Sequence, residues 1–217
     1  MKIYVVGSSK NKFLPLDDIR EKFLIDQPHE GDNIDFLNPW YCELTGLYYL
    51  WKHVDDDIVG LEHYRRYFVN DNGNLLSENE IREILKDNDV ICRKCIIPTK
   101  KPLWNILTAE HKNFTNAFLS YLSKDFKNFI LNRIKTSLYF EQCNMIICNK
   151  NIINKYLTWF FDISLQFMGK DFYNHKRIFG YVSEFIFGSW LIYNNYKITY
   201  QLVKTFNQNL SKVIELY

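Results

Sequence analysis

"DIVGLEHYRRYF", Asp57 to Phe68, decides how the chain is read. Ile58 to Leu61 form an apolar run that suits a strand covered on both faces, as in a parallel sheet. The next residues, His63 to Phe68, hold one histidine, two arginines and three aromatics. Side chains alternate along a strand, so Val59, Leu61 and His63 share one face, and Ile58, Gly60 and Glu62 the other. Open α/β sheets bind ligands just beyond the carboxyl ends of their strands, which is where His63 to Arg66 fall. The planar fork of a guanidinium matches phosphate oxygens, so Arg65 and Arg66 beside an imidazole make a diphosphate cradle. Two other readings compete. The arginines could pair with surface carboxylates while Tyr64 and Tyr67 pack, or the segment could stack single-stranded RNA on its aromatics.

Working outward, residues 2–6, "KIYVV", alternate and branch like a strand, and "GSSKNK" follows as a loop. Residues 15–36 are polar and carry Pro15, Pro28 and Gly31, which predicts a surface loop. Asn38-Pro39 opens a helix, with Asn as cap and Pro in the first turn. Along it Trp40, Leu44, Leu47, Tyr48 and Trp51 recur at helical spacing. Ser77 and Glu80 form a capping-box pattern ahead of Ile81, Ile84 and Leu85. Further strands are predicted at 89–93, 139–149 and 197–203, with helices at 104–122, 125–136, 151–168 and 181–194. This alternation predicts one α/β domain over residues 1–217 with a mostly parallel sheet.

Composition narrows the function. A hydrophobic fraction of 47% excludes a disordered chain, and 17% aromatics predict a thick core. A net charge of +2 gives no electrostatic case for nucleic acid. No apolar run reaches the roughly 18 residues of a membrane span, and the first strand is too short for a signal peptide. A cytoplasmic location is therefore expected. Cys92 and Cys95 form a C-x-x-C without a second ligand pair, so the five cysteines are read as reduced thiols rather than zinc ligands.

Three blocks then stand in order: "GDNIDFLNPWYCELTGLYYLWKH" (31–53), "DIVGLEHYRRYF" (57–68) and "FGYVSEFIFGSWL" (179–191). With the Asn144-Met145 pair they resemble the capsular polysaccharide synthesis glycosyltransferases, a family long catalogued as a domain of unknown function. The resemblance implies a GT-A-like nucleotide-diphosphosugar transferase, with a mostly parallel Rossmann-type sheet flanked by helices. It implies transfer of a hexose, galactose or galactofuranose among the candidates, from a UDP-sugar to a lipid-linked oligosaccharide in capsular or surface polysaccharide assembly. Work at the inner face of the plasma membrane, with peripheral membrane association and no nucleic-acid partner, goes with it. The family's opening His-Lys pair is replaced by Ser9-Lys10, and the segment before Gly31 is short. Both departures leave open an inert nucleotide-sugar-binding partner subunit.

Expected site residues follow from this chemistry. Glu184 is the candidate base for the acceptor hydroxyl, with Glu43 as second candidate, while His63, Arg65 and Arg66 serve the leaving diphosphate. Ser9, Lys10, Asp32, Asn33, Glu43, Thr45, Glu62 and Tyr64 are expected around the donor. Asn144, Tyr181 and Ser183 are expected at the acceptor, and Trp104 beside Pro102 could line its groove. The Asp-x-Asp strings at Asp55–Asp57 and Asp87–Asp89 precede strands, at the wrong edge of the sheet for a metal. A divalent metal such as Mn or Mg is therefore not favoured, and the cations would do its work. A metal completed by Glu62 stays open.

Overall fold

The computed structural model describes residues 1–14, 16–97, 101–167, 175–206 and 213–215. β1 (Lys2–Gly7) is apolar on both faces and lies inside the sheet. It pairs in parallel with β2 (Arg20–Leu24) on one edge and with β3 (Ile58–His63) on the other. β2 falls within the stretch predicted to loop, whose first residue, Pro15, lies outside the described residues. Its sequence, "REKFL", hides the strand because Glu21 and Lys22 face solvent and only Arg20 and Phe23 turn inward. Charged exposed residues are normal on an edge strand.

Between β2 and β3 come α1 (Asn38–Tyr41) and α2 (Leu44–His53). The predicted continuous helix breaks at Cys42, whose φ of 52° leaves helical space. Pro39 sits in the first turn as expected, whereas Leu37 rather than Asn38 takes the cap position. After β4 (Arg66–Phe68), α3 (Glu78–Asp87) starts with the Ser77–Glu80 capping box fully formed. β5 (Val90–Ile96) follows. The predicted 104–122 helix divides into α4 (Leu103–Ile106) and α5 (Ala109–Leu119), because Thr108 caps the His111 N–H and restarts the helix. α6 (Lys124–Thr136), β6 (Tyr139–Asn149), α7 (Lys150–Phe167) and α8 (Ile178–Tyr193) lie close to their predicted spans; residue 168 lies outside the described residues. The last predicted strand is two, β7 (Ile198–Tyr200) and β8 (Val203–Phe206), followed by β9 (Val213–Glu215).

The main sheet runs β2-β1-β3-β6-β5-β7. β6 is antiparallel to both its neighbours, and the other five strands share one direction. The mostly parallel sheet is thus present in strand direction, with β6 reversed in its middle. β4, β8 and β9 extend it as an antiparallel ribbon from the end of β3.

The high aromatic content goes into the core between the sheet and helices α2, α5, α7 and α8. Tyr41 stacks on Phe179 at 4.4 Å, and Phe114, Phe118, Phe160, Phe161 and Phe167 are fully buried around them. Trp40, Trp51, Trp104, Trp159 and Trp190 all pack on this core, as expected for core residues. α8 lies tightly on β6: a Cβ at Gly188 would come within 1.5 Å of Glu141 Oε2, so no other residue fits. Glu141 is itself buried and paired with Arg133 at 2.7 Å. Among the described residues no helix is long and apolar enough to cross a membrane.

Candidate active site

The strand order reverses at β1, which has β2 on one side and β3 on the other. At that reversal, beyond the carboxyl ends of β1 and β3, lies a cavity of about 790 Å³. This is the switch-point position at which open α/β sheets bind ligands.

The opening stretch builds one wall. β3 ends at His63, which pairs with Arg66 across a two-residue turn of Tyr64 and Arg65. The Tyr64 N–H donates to the Val6 carbonyl at 2.9 Å, tying the turn to β1. Gly7 makes this closure feasible, since a Cβ there would sit 2.9 Å from Tyr64 Cβ. His63, Tyr64, Arg65 and Arg66 all line the cavity. Neither arginine has a carboxylate partner among the described residues, and Arg66 Nε is buried without a hydrogen bond. The surface ion pairs of the competing reading are therefore not what holds these side chains.

A second wall comes from the break between α1 and α2, which presents Asn38, Pro39, Cys42 and Glu43. Asn38 Oδ1 is another buried atom without a partner. The third wall is the start of α8. Arg177, in left-handed conformation at φ 65°, precedes it, and Lys176, Arg177, Tyr181 and Glu184 face the cavity. The Arg177 guanidinium lies 5.1 Å from the Tyr181 ring centroid. Cys143, from a bulge in β6, completes the lining on this side.

The electrostatics are uneven. Four cationic side chains, Arg65, Arg66, Lys176 and Arg177, face two carboxyl groups, Glu43 and Glu184. Burial pushes the Glu184 carboxyl up to about 8, and the nearby Glu43 charge pushes the same way. The Cys143 N–H, Arg66 and Arg93 oppose that rise without cancelling it. Burial likewise pulls His63 below its ordinary value, favouring the neutral ring. His63 Nε2 lies 2.7 Å from the Cys143 carbonyl, which can only accept, so Nε2 carries the proton and Nδ1 is the bare nitrogen. Burial and Glu43 raise the Cys42 thiol to about 11, which keeps it protonated.

The structure gathers Glu43, His63, Tyr64, Arg65, Arg66, Tyr181 and Glu184 around one cavity. The other expected residues lie elsewhere. Glu62 is 0% exposed and forms a two-pronged pair with Arg20, at 2.7 and 3.2 Å, and accepts the Phe68 N–H. It points to the opposite face from His63, as strand alternation demands, and is a fold residue rather than a donor ligand. Arg20→Ala is expected to cost about 3–5 kcal/mol in urea unfolding, because it leaves that carboxylate buried and unpaired. A joint Arg20→Met, Glu62→Leu change should recover most of the loss.

Ser9 binds Asp26 through both its N–H and its hydroxyl, and Lys10 is exposed away from the cavity lining. Asp32 accepts from the Tyr48 hydroxyl, and Asn33 closes its own turn onto the His29 and Gly31 carbonyls. Thr45 is buried and donates to the Cys42 carbonyl. Asn144 and Ser183 are buried behind the wall; Asn144 donates to Glu43, and Ser183 donates to Asn144. Trp104 lies between Lys112 and Lys135, away from the lining. Sequence reasoning missed Asn38, Lys176 and Arg177. The last two stand just ahead of the 179–191 block, with Ile178 between, and nothing local marks them as converging on the cationic turn.

The Asp-x-Asp strings behave as turn residues. Asp56 pairs with the N-terminal ammonium, Asp57 with Arg82 at 2.7 Å, and Asp89 accepts the Lys197 N–H. Among the described residues no group of three or more His, Cys, Asp or Glu is placed to hold a metal ion, and of the two cavity carboxyls Glu43 accepts from Asn144.

Comparison with solved structures finds the same fold in the apo structure of the WbbM bifunctional glycosyltransferase, with a TM-score of 0.73 at 21% identity. The match covers 93% of this chain and 44% of that one, so the chain spans under half of its structural relative. The fold is therefore GT-A-like, in line with the α/β expectation. No curated protein matches the sequence. Residues 2–195 match the model of a domain of unknown function, DUF4422. The chain belongs to the DUF4422 family.

Proposed function

We propose that the protein is a glycosyltransferase whose cavity binds a nucleoside-diphosphate sugar. One observation carries this. Four cations without carboxylate partners among the described residues, together with the unpartnered Arg66 Nε, surround a cavity at the sheet's switch point. Such a site suits a ligand with several phosphate oxygens. The fold shared with a glycosyltransferase supports the same reading.

The chemistry balances with the residues present. The acceptor oxygen bonds to the anomeric carbon as the bond from that carbon to the diphosphate oxygen breaks. The hydroxyl proton passes to Glu184, and the charge gained by the leaving diphosphate is met by Arg65, Arg66, Lys176 and Arg177. Each charge-assisted hydrogen bond is worth about 1.5–3 kcal/mol, and those that strengthen as the charge develops accelerate the step. In this reading Tyr181, which lines the cavity and is exposed, meets the acceptor.

The finer assignment rests on the motif resemblance: a UDP-hexose as donor, a lipid-linked oligosaccharide as acceptor, and surface polysaccharide assembly by a protein peripheral to the inner membrane face. A panel of UDP-, GDP-, CMP- and dTDP-sugars tests the reading, by thermal shift and by nucleotide release. A UDP-sugar should raise the melting temperature and release UDP. Binding without release would instead identify an inert binding subunit, and RNA binding that falls steeply with salt would favour the nucleic-acid alternative. Because cations serve the leaving group, EDTA should leave turnover intact. Turnover abolished by EDTA and restored by Mn would overturn that part.

A further inference from the structure

β6 is interrupted where it passes the cavity. Cys92 of β5 pairs with Ile146, and the next pairing joins Lys94 to Glu141, so residues 142–145 face Arg93 alone. Within this bulge Cys143 and Asn144 are both left-handed, at φ 69° and 50°. Two successive non-glycine residues in that region are uncommon, and such strain gathers at functional sites.

The bulge reaches three cavity residues from three different elements. The Cys143 carbonyl accepts from His63 Nε2 at 2.7 Å. The Cys143 backbone also faces the Glu184 carboxyl and works against the rise that burial imposes on it. Asn144 Nδ2 donates to Glu43 Oε1 at 2.8 Å, and Asn144 Oδ1 accepts from the Ser183 hydroxyl at 3.1 Å. Ser183 also donates to the Gly180 carbonyl at 2.8 Å, anchoring the chain of bonds to the first turn of α8. In an extended strand these N–H and C=O groups would lie in the plane of the sheet, directed at the backbones of β3 and β5. Left-handed geometry turns them toward the cavity instead.

We propose that the Cys143–Asn144 bulge is the positioning element of the site, fixing the His63 tautomer through its backbone carbonyl and holding Glu43 beside Glu184 through the Asn144 amide. Asn144 and Ser183 are then positioning residues and not acceptor ligands, consistent with their burial. The groups facing Glu184 are Glu43 and Cys42 from the helix break, Arg66 from β4, Arg93 and Cys95 from β5 and Cys143 from β6. Glu43 is the one of these that Asn144 holds. Freed of it, Glu43 can turn away, and Glu184 should ionise at lower pH.

The proposal rests on the glycosyltransferase reading only for its kinetic test. Asn144→Gly keeps the left-handed backbone available and removes the amide. It should lower kcat at least tenfold, leave UDP affinity within about twofold, and move the acid limb of the pH profile downward. Cys143→Gly should exceed Cys143→Val at least tenfold in kcat, since valine resists left-handed geometry while the contacts at stake are backbone ones. Nuclear magnetic resonance supplies an arm that needs no turnover. In the parent, ¹⁵N shifts of His63 should show protonated Nε2 and bare Nδ1, and Cys143→Val should lose that pattern. The ¹³C titration midpoint of Glu184 should fall by half a pH unit or more in Asn144→Gly. Parent-like kcat and midpoint in Asn144→Gly would overturn the proposal, as would a tenfold loss of UDP affinity, which would make Asn144 a ligand. If the parent transfers no sugar, the resonance results still decide the bulge's role while the functional reading fails by itself.

Discussion

Glu184→Gln is expected to lower kcat by about 10²–10⁴-fold, the usual contribution of a positioned general base. The wild-type pH profile should carry the matching signature. With its carboxyl pushed up to about 8, Glu184 is mostly protonated at neutral pH. A base must first lose that proton, so kcat/KM should rise with pH and level off above about 8. Glu43→Gln removes the second-largest cause of the shift and should move this limb to lower pH. A profile flat from pH 6 to 9 in the parent would remove Glu184 from the role of base.

The same substitution should have the opposite effect on stability. In the unfolded chain the carboxyl ionises near its ordinary value of about 4.3. In the fold it holds its proton to about 8. Between those values the unfolded state binds fewer protons, so the contribution is full below about 4.3 and is lost as pH rises through 8. Gln lacks this penalty because its amide is neutral at every pH. Glu184→Gln should therefore match the parent at pH 4 and exceed it increasingly toward pH 8, by at most about 1.4 kcal/mol per pH unit. Urea unfolding at several pH values reads this out. A site residue that costs stability in order to act is a familiar compromise.

How far the sequence revealed this depended on what each signal encodes. Long periodic segments were legible: 139–149 became β6, and the helix expected at 151–168 corresponds to α7, because periodicity is local. β2 was illegible because an edge strand needs only one buried side in five residues, and "REKFL" looks like surface. The role of Glu62 was legible in its face but not in its partner. Arg20 lies 42 positions away, and only the parallel pairing of β2, β1 and β3 brings the two together. The cationic turn of "HYRRYF" was read from its position at the carboxyl end of a buried strand, and His63 to Arg66 do line the cavity. Lys176 and Arg177 join it from the far end of the chain, a convergence that no local pattern carries. Asn144 and Ser183 were expected at the acceptor, but only the bulge geometry shows Asn144 turned to Glu43 with Ser183 behind it.

Arg66→Ala is expected to produce the second large loss, about 10–100-fold in kcat/KM, which is the worth of one charge-assisted contact. Its partly buried position sets it apart from Arg65, which is exposed and lies 5.7 Å from the Tyr64 ring centroid. Arg66 Nε has no protein partner, so a ligand oxygen is its natural acceptor, and the guanidinium can then engage phosphate with two N–H groups. Arg66→Lys keeps the charge and loses the fork, so it should recover only part of the activity. Arg65→Ala should cost less, since an exposed cation is already well solvated. The split between binding and chemistry is informative here. If Arg66 meets charge that develops on the departing diphosphate, kcat should fall more than affinity for intact donor does. Equal activity in the alanine and lysine variants would leave charge and geometry without effect, and the cationic turn would then have to be explained by the fold alone.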